Sequence, residues 1–322
     1  MPALLTKILG GLAFAFIYQF YYGGGDTFNF YFAGRLLRDA FADDVSLGIK
    51  VLFLDAGQYT ADTVQYTWRT RFFGYEEEWF FTRFTGLVNL LCLNSYVATN
   101  MFFGLFVFFG NWKLYEAFVQ VYPKLYRPLG FAAFFAPSLV FWGSGLIKDT
   151  VTLASLGFLT YSAFAVLQKG KSKILHLAIM LLAGWLILSL KAYILYTLLP
   201  CLLLWYYLQL QASIPNVLLK ALAMPVLLLM VAGLAWGLIT SVAAQTSKYS
   251  SVDDITQRVQ DFHWDHTMRA GGSVYNLGEI EYTPAGIVRK IPASINVALF
   301  RPYLWEVQNV VMLMAAGESL LY

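Results

Sequence analysis

The sequence predicts an all-α polytopic membrane protein, and three observations lead to that fold class. Hydrophobic residues make up 59% of the 322 residues, whereas charged residues make up only 13%. Soluble domains carry about 25% charged residues, so this chain has little polar surface to present to water. Its apolar residues also form blocks that could cross a hydrocarbon core, which takes about 20 helical residues. We therefore expect about seven or eight transmembrane helices in a single integral membrane domain, residues 1–322.

The apolar blocks give the predicted spans in order. The first block, 4–22, contains Lys7 and resembles a signal sequence, but the following FIYQFYYGGG contains no small-x-small cleavage site. We therefore expect a retained anchor helix there. Further spans are predicted at 96–112, 131–146, 150–167, 174–190, 192–208 and 219–242. The last apolar segment, 309–322, is short for a span, so either it is re-entrant or its helix continues beyond Tyr322, and we expect the continuation.

Lysine and arginine in the short loops predict the orientation, because these residues accumulate on the cytoplasmic side. With Lys7 and the N-terminus inside, the basic loops 113–130 and 168–173 also fall inside. Four polar segments then share the outer face: 23–95, 144–149, 189–192 and 243–308. We expect these outer loops and turns to converge and to form the functional face.

The first outer loop contains two helix-like stretches. In 26–41 we expect an apolar side formed by Phe28, Phe32 and Leu36. The opposite, polar side then carries Asp26, Asn29, Arg35 and Arg38. The second stretch, 79–94, is rich in aromatic residues. Amphipathic helices of this kind lie along the membrane interface.

Asp26 is the candidate catalytic residue. It follows Gly23–Gly25 directly beyond the first span, where glycines allow a tight turn and close approach of a ligand. Two interpretations remain open: the carboxylate caps the following helix, or it acts on a substrate at the water–lipid boundary. Asn29 and Arg35, on the same polar side, are predicted to bind that substrate.

The stretch FWGSGLIKDTVTL, 141–153, carries the strongest signal for an anion site. Lys148 and Asp149 interrupt an otherwise apolar region, and charges at membrane depth usually face a cavity or a partner. A lysine beside the free N–H groups of a helix start can hold phosphate. Lys191 lies at the next turn on the same side and is a second candidate contact. The alternatives are a simple Lys–Asp pair and a turn lysine that reaches towards water.

Near the C-terminus, Arg301 and Glu306 flank Pro302 in LFRPYLWEVQN, and we predict that both bind substrate unless they only anchor the chain at the interface. Glu318, an acid within an apolar segment, is a further functional candidate. HWDH, 263–266, is a weak candidate for a metal site. No cofactor is predicted, although a divalent metal stays an open alternative. The net charge of +3 without a basic run gives no reason to expect nucleic acid.

An N-terminal anchor followed by a long outer loop that opens with an acid resembles the GT-C class of polytopic glycosyltransferases. Three segments, GGGDTFNFY, PSLVFWGSGLIKDTV and ALFRPYLWE, also resemble bacterial membrane proteins similar to O-antigen and exopolysaccharide polymerases. The resemblance implies transfer of sugars from polyprenyl-phosphate carriers at the outer face of the bacterial cytoplasmic membrane. Many GT-C enzymes carry paired acids in this loop, whereas Asp26 stands alone.

The resemblance implies a role for each candidate residue. Asp26 would take a proton from the acceptor hydroxyl, and Lys148, Lys191 and Arg301 would hold the lipid phosphate. Membrane lipids and the polyprenyl-phosphate sugar donor are then the expected partners. Two other functions remain open: a non-catalytic subunit of a larger cell-envelope complex, and a flippase for lipid-linked sugars, which needs the cations but no base.

Overall fold

The computed structural model describes residues 1–167, 172–213, 277–278 and 280–320, together with short pieces between 224 and 264. The regular elements of these described residues are all helical, as predicted. The chain forms two compact units, Met1–Leu195 and Tyr196–Tyr322, and each is described by itself.

The first unit contains a series of helices joined by short turns. In chain order they are α1 (Pro2–Phe16, followed by a π-helical turn at Ile17–Tyr21), α2 (Asp26–Asp43), α3 (Val45–Leu52), α4 (Val64–Thr67), α5 (Glu76–Leu91), α6 (Tyr96–Val121), α7 (Tyr126–Phe134), α8 (Pro137–Phe141), α9 (Lys148–Leu167) and the first part of α10 (Lys173–Ser213). The helices predicted over 26–41 and 79–94 are confirmed as α2 and α5.

Three helical stretches among the described residues are long and apolar enough to cross a membrane: Pro2–Tyr21, Lys148–Val166 and Lys173–Gln209. A fourth candidate is the pair α5 and α6, which are bent by 111° at their break and form either one broken span or a re-entrant loop. These helices are compatible with a membrane protein, but the predicted total of about seven or eight spans is not confirmed. Most of the predicted span 219–242 lies outside the described residues.

The predicted span 131–146 is wrong, because these residues form two short helices and a turn. Between α7 and α8, Ala136 adopts an extended conformation with φ −61° and ψ 128°. This is the conformation favoured by a residue that precedes proline, here Pro137. A 3₁₀ turn at Trp142–Ser144 then leads towards α9.

The predicted turn at 189–192 is present only as a break in α10. Lys191 has non-helical backbone angles, φ −151° and ψ 72°, whereas the residues on either side continue as helix. Residues 174–190 and 192–208 therefore form two helical segments that meet at a kink at Lys191.

Lys7 does not behave as a solvated loop charge. Its side chain is buried in α1, and Nζ donates a hydrogen bond of 2.6 Å to the carbonyl oxygen of Leu139 in α8. The N-terminal orientation inferred from Lys7 stays a prediction.

Small residues allow α6 and α9 to pack closely. A Cβ atom added at Gly157 would lie 2.0 Å from the carbonyl oxygen of Gly110, and one added at Gly110 would lie 2.3 Å from the Cα of Ala154. Such small-residue contacts are a common way for membrane helices to approach each other. The contact fixes the position of α9, which begins at Lys148.

Only part of the predicted apolar side of α2 is buried, because Phe28 and Leu36 pack against the core whereas Phe32 is largely exposed. Its buried residues include Phe30, Tyr31 and Leu37, whereas Phe32 is 51% exposed. The helix carries aromatic residues on several faces, so apolar periodicity alone does not identify the buried one. Gly34 does identify it, because an added Cβ would lie 3.0 Å from the backbone nitrogen of Gly86 in α5.

Among its described residues, the second unit contains two further helices, α11 (Pro284–Phe300) and α12 (Val310–Ser319). TPAG, 283–286, lies within the predicted outer loop 243–308 and forms the start of α11. Thr283 accepts a hydrogen bond from the Gly286 N–H, and Pro284 occupies the first helical position, where proline is favoured.

Replacing Gly157 with alanine is expected to destabilise the protein by about 1–3 kcal/mol, because the new methyl group meets backbone that cannot rotate away. Thermal unfolding of the detergent-purified protein, followed by size-exclusion chromatography, measures the shift. Gly317→Ala is the matched control, since an added Cβ there has open space within 4 Å. It should be neutral or stabilising, as alanine is the better helix former. Equal midpoints for the two variants would contradict the close α6–α9 contact.

Candidate functional site

A cavity of about 410 Å³ opens beside α2 and is lined by arginines. Its lining residues are Asn29, Phe32, Ala33, Arg35, Leu36, Asp39, Arg69 and Arg71. Arg35 projects from α2, whereas Arg69 and Arg71 lie in the connection between α4 and α5. Two residues that we predicted to bind substrate, Asn29 and Arg35, therefore lie together in one cavity.

The cavity has an excess of positive charge. Its only lining carboxylate, Asp39, is already paired with Arg38, whose Nη1 lies 2.7 Å from Oδ1. Within the described part of the chain, Arg35, Arg69 and Arg71 form no ion pair with a carboxylate. Three guanidinium groups are thus available to an anion, and each offers several donors in a planar fork.

Aromatic rings support the three guanidinium groups. The Cζ atoms of Arg69, Arg71 and Arg35 lie 4.8, 5.8 and 6.0 Å from the ring centroids of Trp68, Phe72 and Tyr31, respectively. Cation–π attraction favours this placement and leaves the N–H edges of the fork available to a ligand. Phe72 and Tyr31 also belong to the packed core of the first unit.

Asp26 is the first residue of α2 but does not cap it. The N-cap residue is Gly25, whose carbonyl oxygen accepts from the Phe28 and Asn29 N–H groups. The Asp26 side chain is exposed and makes no hydrogen bond or ion pair within the described residues. It lies one helical turn before Asn29, about 4.5 Å along the axis, although it is not itself a lining residue of the cavity.

The three glycines before Asp26 create the turn that exposes it. Gly23, Gly24 and Gly25 have φ angles of +64°, +152° and +111°. L-residues with side chains rarely adopt such values, whereas glycine does so at little cost. The triplet therefore ends the N-terminal helix and starts α2 within a few residues.

The predicted phosphate-binding lysines are engaged in ion pairs. Lys148 Nζ lies 2.7 Å from Glu78 Oε1 and 3.9 Å from Glu77 Oε2. Lys191 pairs with Asp149. These two ion pairs connect the start of α9, which carries Lys148 and Asp149, to Glu78 at the start of α5 and to Lys191 at the break in α10. They bring together three of the four segments that we expected to converge.

A buried amide fixes the turn that precedes Lys148. Asn100, in α6, is fully buried and donates from Nδ2 to the carbonyl oxygens of Gly11 at 2.8 Å and Ser144 at 3.4 Å. Its Oδ1 accepts from the backbone N–H of Leu146 at 2.8 Å. Asn100 therefore holds both sides of the turn between the 3₁₀ segment and α9.

The remaining predicted residues lie in the second unit. Arg301 Nη2 and Glu306 Oε1 form an ion pair of 2.8 Å, and Glu306 also accepts from the Tyr303 N–H. Glu318 is buried in α12. His263 Nδ1 lies 2.6 Å from the Tyr282 hydroxyl.

No group of three metal-binding side chains occurs among the described residues. Asp265 and His266, the other members of the predicted HWDH metal site, lie outside them.

Sequence reasoning missed Arg69, Arg71, Glu78 and Asn100. The alternation of arginine and aromatic residues in TWRTRFF was an available signal for the first two. Three successive glutamates usually form a solvated acidic face, but only 26% of the Glu78 side chain is exposed, beside Lys148. Asn100 gave no signal, because a single amide in an apolar helix has no sequence-local partner.

Breaking the Glu78–Lys148 pair is expected to cost about 1–3 kcal/mol, because Glu78→Gln leaves a partly buried lysine without its charge-assisted hydrogen bond. A double-mutant cycle with Lys148→Gln, followed by thermal or chemical unfolding, measures the coupling. The matched control is the Lys50–Asp62 pair, whose side chains are more than half exposed. Exposed pairs couple by about 0.2–1 kcal/mol. A Glu78–Lys148 coupling no larger than the control value would contradict a structural role.

Known proteins give no direct guide to this site. No family model matches the chain, and neither a curated protein nor a solved structure matches it. Its function is therefore inferred from the contacts, charges and burial of its own side chains.

Proposed function

We propose that the protein is a membrane glycosyltransferase, similar to polysaccharide polymerases, that uses polyprenyl-phosphate-linked sugars. One observation carries the proposal: an exposed carboxylate, Asp26, lies one helical turn from a cavity lined by three arginines that have no carboxylate partner among the described residues. Glycosyl transfer from a lipid phosphate needs a base for the acceptor and positive charge for the leaving group.

In this proposal, Asp26 is the base that activates the acceptor. Its carboxylate takes the proton of an acceptor hydroxyl while the hydroxyl oxygen forms a bond to the anomeric carbon of the donor sugar. The bond from that carbon to the phosphate oxygen breaks, and the lipid phosphate leaves with the electron pair. An exposed carboxylate without a capping role suits this step, because no existing hydrogen bond has to be broken.

In this proposal, the leaving lipid phosphate is bound by Arg35, Arg69 and Arg71. We predicted Lys148, Lys191 and Arg301 for this role from the sequence, but each of them contacts a carboxylate. The arginines of the cavity have no such partner in the part of the chain that the structure describes, and their bidentate N–H groups match phosphate oxygens. We therefore assign Lys148 and Lys191 a structural role and transfer phosphate binding to the arginines.

The proposed location is the outer face of the bacterial cytoplasmic membrane, with the N-terminus in the cytoplasm. The basic loops support this orientation, and aromatic side chains near the cavity support an interfacial position. Phe32 lines the cavity and is 51% exposed, and Trp68, beneath Arg69, is 59% exposed. A lipid carrier could thus present its phosphate to the arginines while its tail stays in the bilayer.

Asp26→Asn is expected to lower transfer by about 100-fold or more, since general-base catalysis contributes about 10²–10⁴-fold. The assay uses membranes containing the full chain and a panel of radiolabelled sugars on polyprenyl monophosphate and polyprenyl diphosphate. Chromatography of the glycolipid and polymer products measures the rate.

Asp62→Asn is the matched control, because Asp62 is also an exposed acid of the first outer loop but pairs with Lys50. It should leave the rate unchanged. Full transfer by Asp26→Asn would refute the assigned base. Loss of donor translocation in the arginine variants, with no Asp26 dependence, would instead indicate the flippase. Co-purification with a stoichiometric partner and no transfer at all would indicate a complex subunit.

A further inference from the structure

We propose that the rings of Tyr18, Tyr22 and Trp142 form a saccharide-binding surface beside Asp26, and that the acceptor sugar binds there. This inference rests on the proposed function and specifies its acceptor side. Three observations carry it: a continuous row of rings that becomes exposed at one end, polar groups on that row without partners, and open space next to the carboxylate.

The three rings form a continuous row. The centroids of Trp142 and Tyr18 lie 6.2 Å apart, and those of Tyr18 and Tyr22 lie 5.2 Å apart. Phe14, which is fully buried, continues the row into the protein, 4.5 Å from Tyr18. The outer rings are accessible, since Trp142 is 39% exposed and Tyr22 is 44% exposed. The row is thus fixed in the core on one side and open to a ligand on the other.

Two backbone features place this row next to Asp26. Tyr18 lies within the π-helical turn Ile17–Tyr21, and Tyr22 follows it directly. Such turns occur frequently at functional sites. Gly25 directly precedes Asp26, and a Cβ atom added to this glycine would lie 3.0 Å from Tyr18 Cε1. The absence of a side chain therefore allows the Tyr18 ring to pack against the backbone immediately before the carboxylate.

The surface beside the carboxylate is open. Cβ atoms added at Gly23 and Gly24 would meet nothing within 4 Å among the described residues. These two glycines lie between the Tyr22 ring and Asp26 in the chain, so no side chain separates the ring from the carboxylate there. A flat ligand can therefore approach the ring and the carboxylate together.

Three polar groups on the row make no hydrogen bond within the part of the chain that the structure describes: the Tyr18 hydroxyl, the Tyr22 hydroxyl and the Trp142 indole N–H. Such groups usually find a partner where their rings are packed against other side chains. A hydroxyl donates and accepts, an indole N–H only donates, and the Asp26 carboxylate only accepts. This mixture of donors and acceptors matches the hydroxyl groups of a sugar.

A saccharide uses both the rings and the polar groups. The C–H face of a pyranose ring is apolar and carries a slight positive charge, so it packs on the negative face of an aromatic ring. Its hydroxyl groups project from the edge and can form hydrogen bonds. A lipid tail would cover the rings and leave the hydroxyls and the carboxylate unpaired, which is unfavourable. A sugar stacked on Tyr22 can present one hydroxyl to Asp26, the proposed base.

Saturation-transfer difference NMR tests this surface with the full chain in phosphatidylcholine nanodiscs, and empty nanodiscs give the background. The probes are cellotetraose, maltotetraose and chitotetraose, with sorbitol as an acyclic polyol that has no pyranose face. We expect at least one tetrasaccharide to bind and Tyr22→Ala to weaken its binding by at least about fivefold, because the stacking ring is lost. Tyr22→Phe should bind more tightly than Tyr22→Ala, since it retains the ring and loses only the hydroxyl.

Tyr59→Ala is the matched control, because Tyr59 is also an exposed tyrosine of the first outer loop and packs edge-on against Phe73, with centroids 4.9 Å apart. It should leave the affinity unchanged. Failure of all three tetrasaccharides to bind the wild-type protein would overturn the inference. Equal binding of sorbitol, or an equal loss in Tyr59→Ala, would also overturn it.

A second measurement on the wild-type protein decides even if Tyr22→Ala does not fold, and it separates a saccharide from membrane lipid. Peroxynitrite nitrates accessible tyrosines, and mass spectrometry measures the nitration of each one. The bound tetrasaccharide should slow nitration of Tyr22 and leave that of Tyr59 unchanged. If Tyr22 is protected in nanodiscs but not in detergent, and the tetrasaccharide has no effect, the rings anchor the chain in lipid and the inference fails.

Failure of the inference differs from failure of the proposed function. In the transfer assay, Tyr22→Ala should raise the KM for the acceptor and leave the KM for the donor unchanged, whereas Asp26→Asn lowers kcat. Asp26-dependent transfer without saccharide binding at the rings would keep the function and refute the inference. Saccharide binding at the rings without any transfer would refute the function and keep the binding surface.

Discussion

The arrangement of the first unit depends on the buried carboxamide of Asn100. In an apolar interior, an amide must find hydrogen-bond partners, because an unpaired polar group there costs several kcal/mol, roughly 2–7. Asn100 meets this requirement by contacting Gly11 in α1, Ser144 and the N–H of Leu146. The turn before α9 has few backbone hydrogen bonds of its own, and the Asn100 side chain adds contacts to the Ser144 carbonyl and the Leu146 N–H. Lys148 and Asp149 therefore start α9 at a fixed position.

From this position, two ion pairs fix the helices that lead to the proposed site. Lys148 holds Glu78 at the start of α5, and Asp149 holds Lys191 at the break in α10. Helix α5 in turn supports α2 through the close approach of Gly34 to Gly86 and through Asn89, whose Nδ2 donates to the carbonyl oxygen of Tyr31. The arginine-lined cavity and Asp26 belong to α2 and its neighbouring connection. The lysines thus serve the proposed chemistry by positioning its helices, whereas the arginines and Asp26 would contact the substrate.

Composition and periodicity could predict the helical class, because they depend on residues that are close in sequence. The start of α2 at Asp26 and the charged start of α9 at Lys148 both follow from local signals. Partners that lie far apart in sequence could not be predicted in this way: Glu78 and Lys148 are 70 residues apart, and nothing in either local stretch indicates the other. The buried face of α2 could be predicted only in part from the sequence, because this helix carries aromatic residues on several faces. Gly34 marks the buried face, because it lies at the close contact between α2 and α5.

The measurement that tests the central claim most directly is an experimental structure in a lipid nanodisc with a bound polyprenyl-phosphate-linked sugar. The account predicts phosphate density in contact with Arg35, Arg69 and Arg71, and an acceptor-side path to the Asp26 carboxylate within hydrogen-bonding reach, about 2.6–3.2 Å from the reacting hydroxyl. It also predicts that Lys148 and Lys191 keep their carboxylate partners when the ligand is bound. Phosphate density at Lys148 or Lys191, with the arginine-lined cavity empty, would contradict the account.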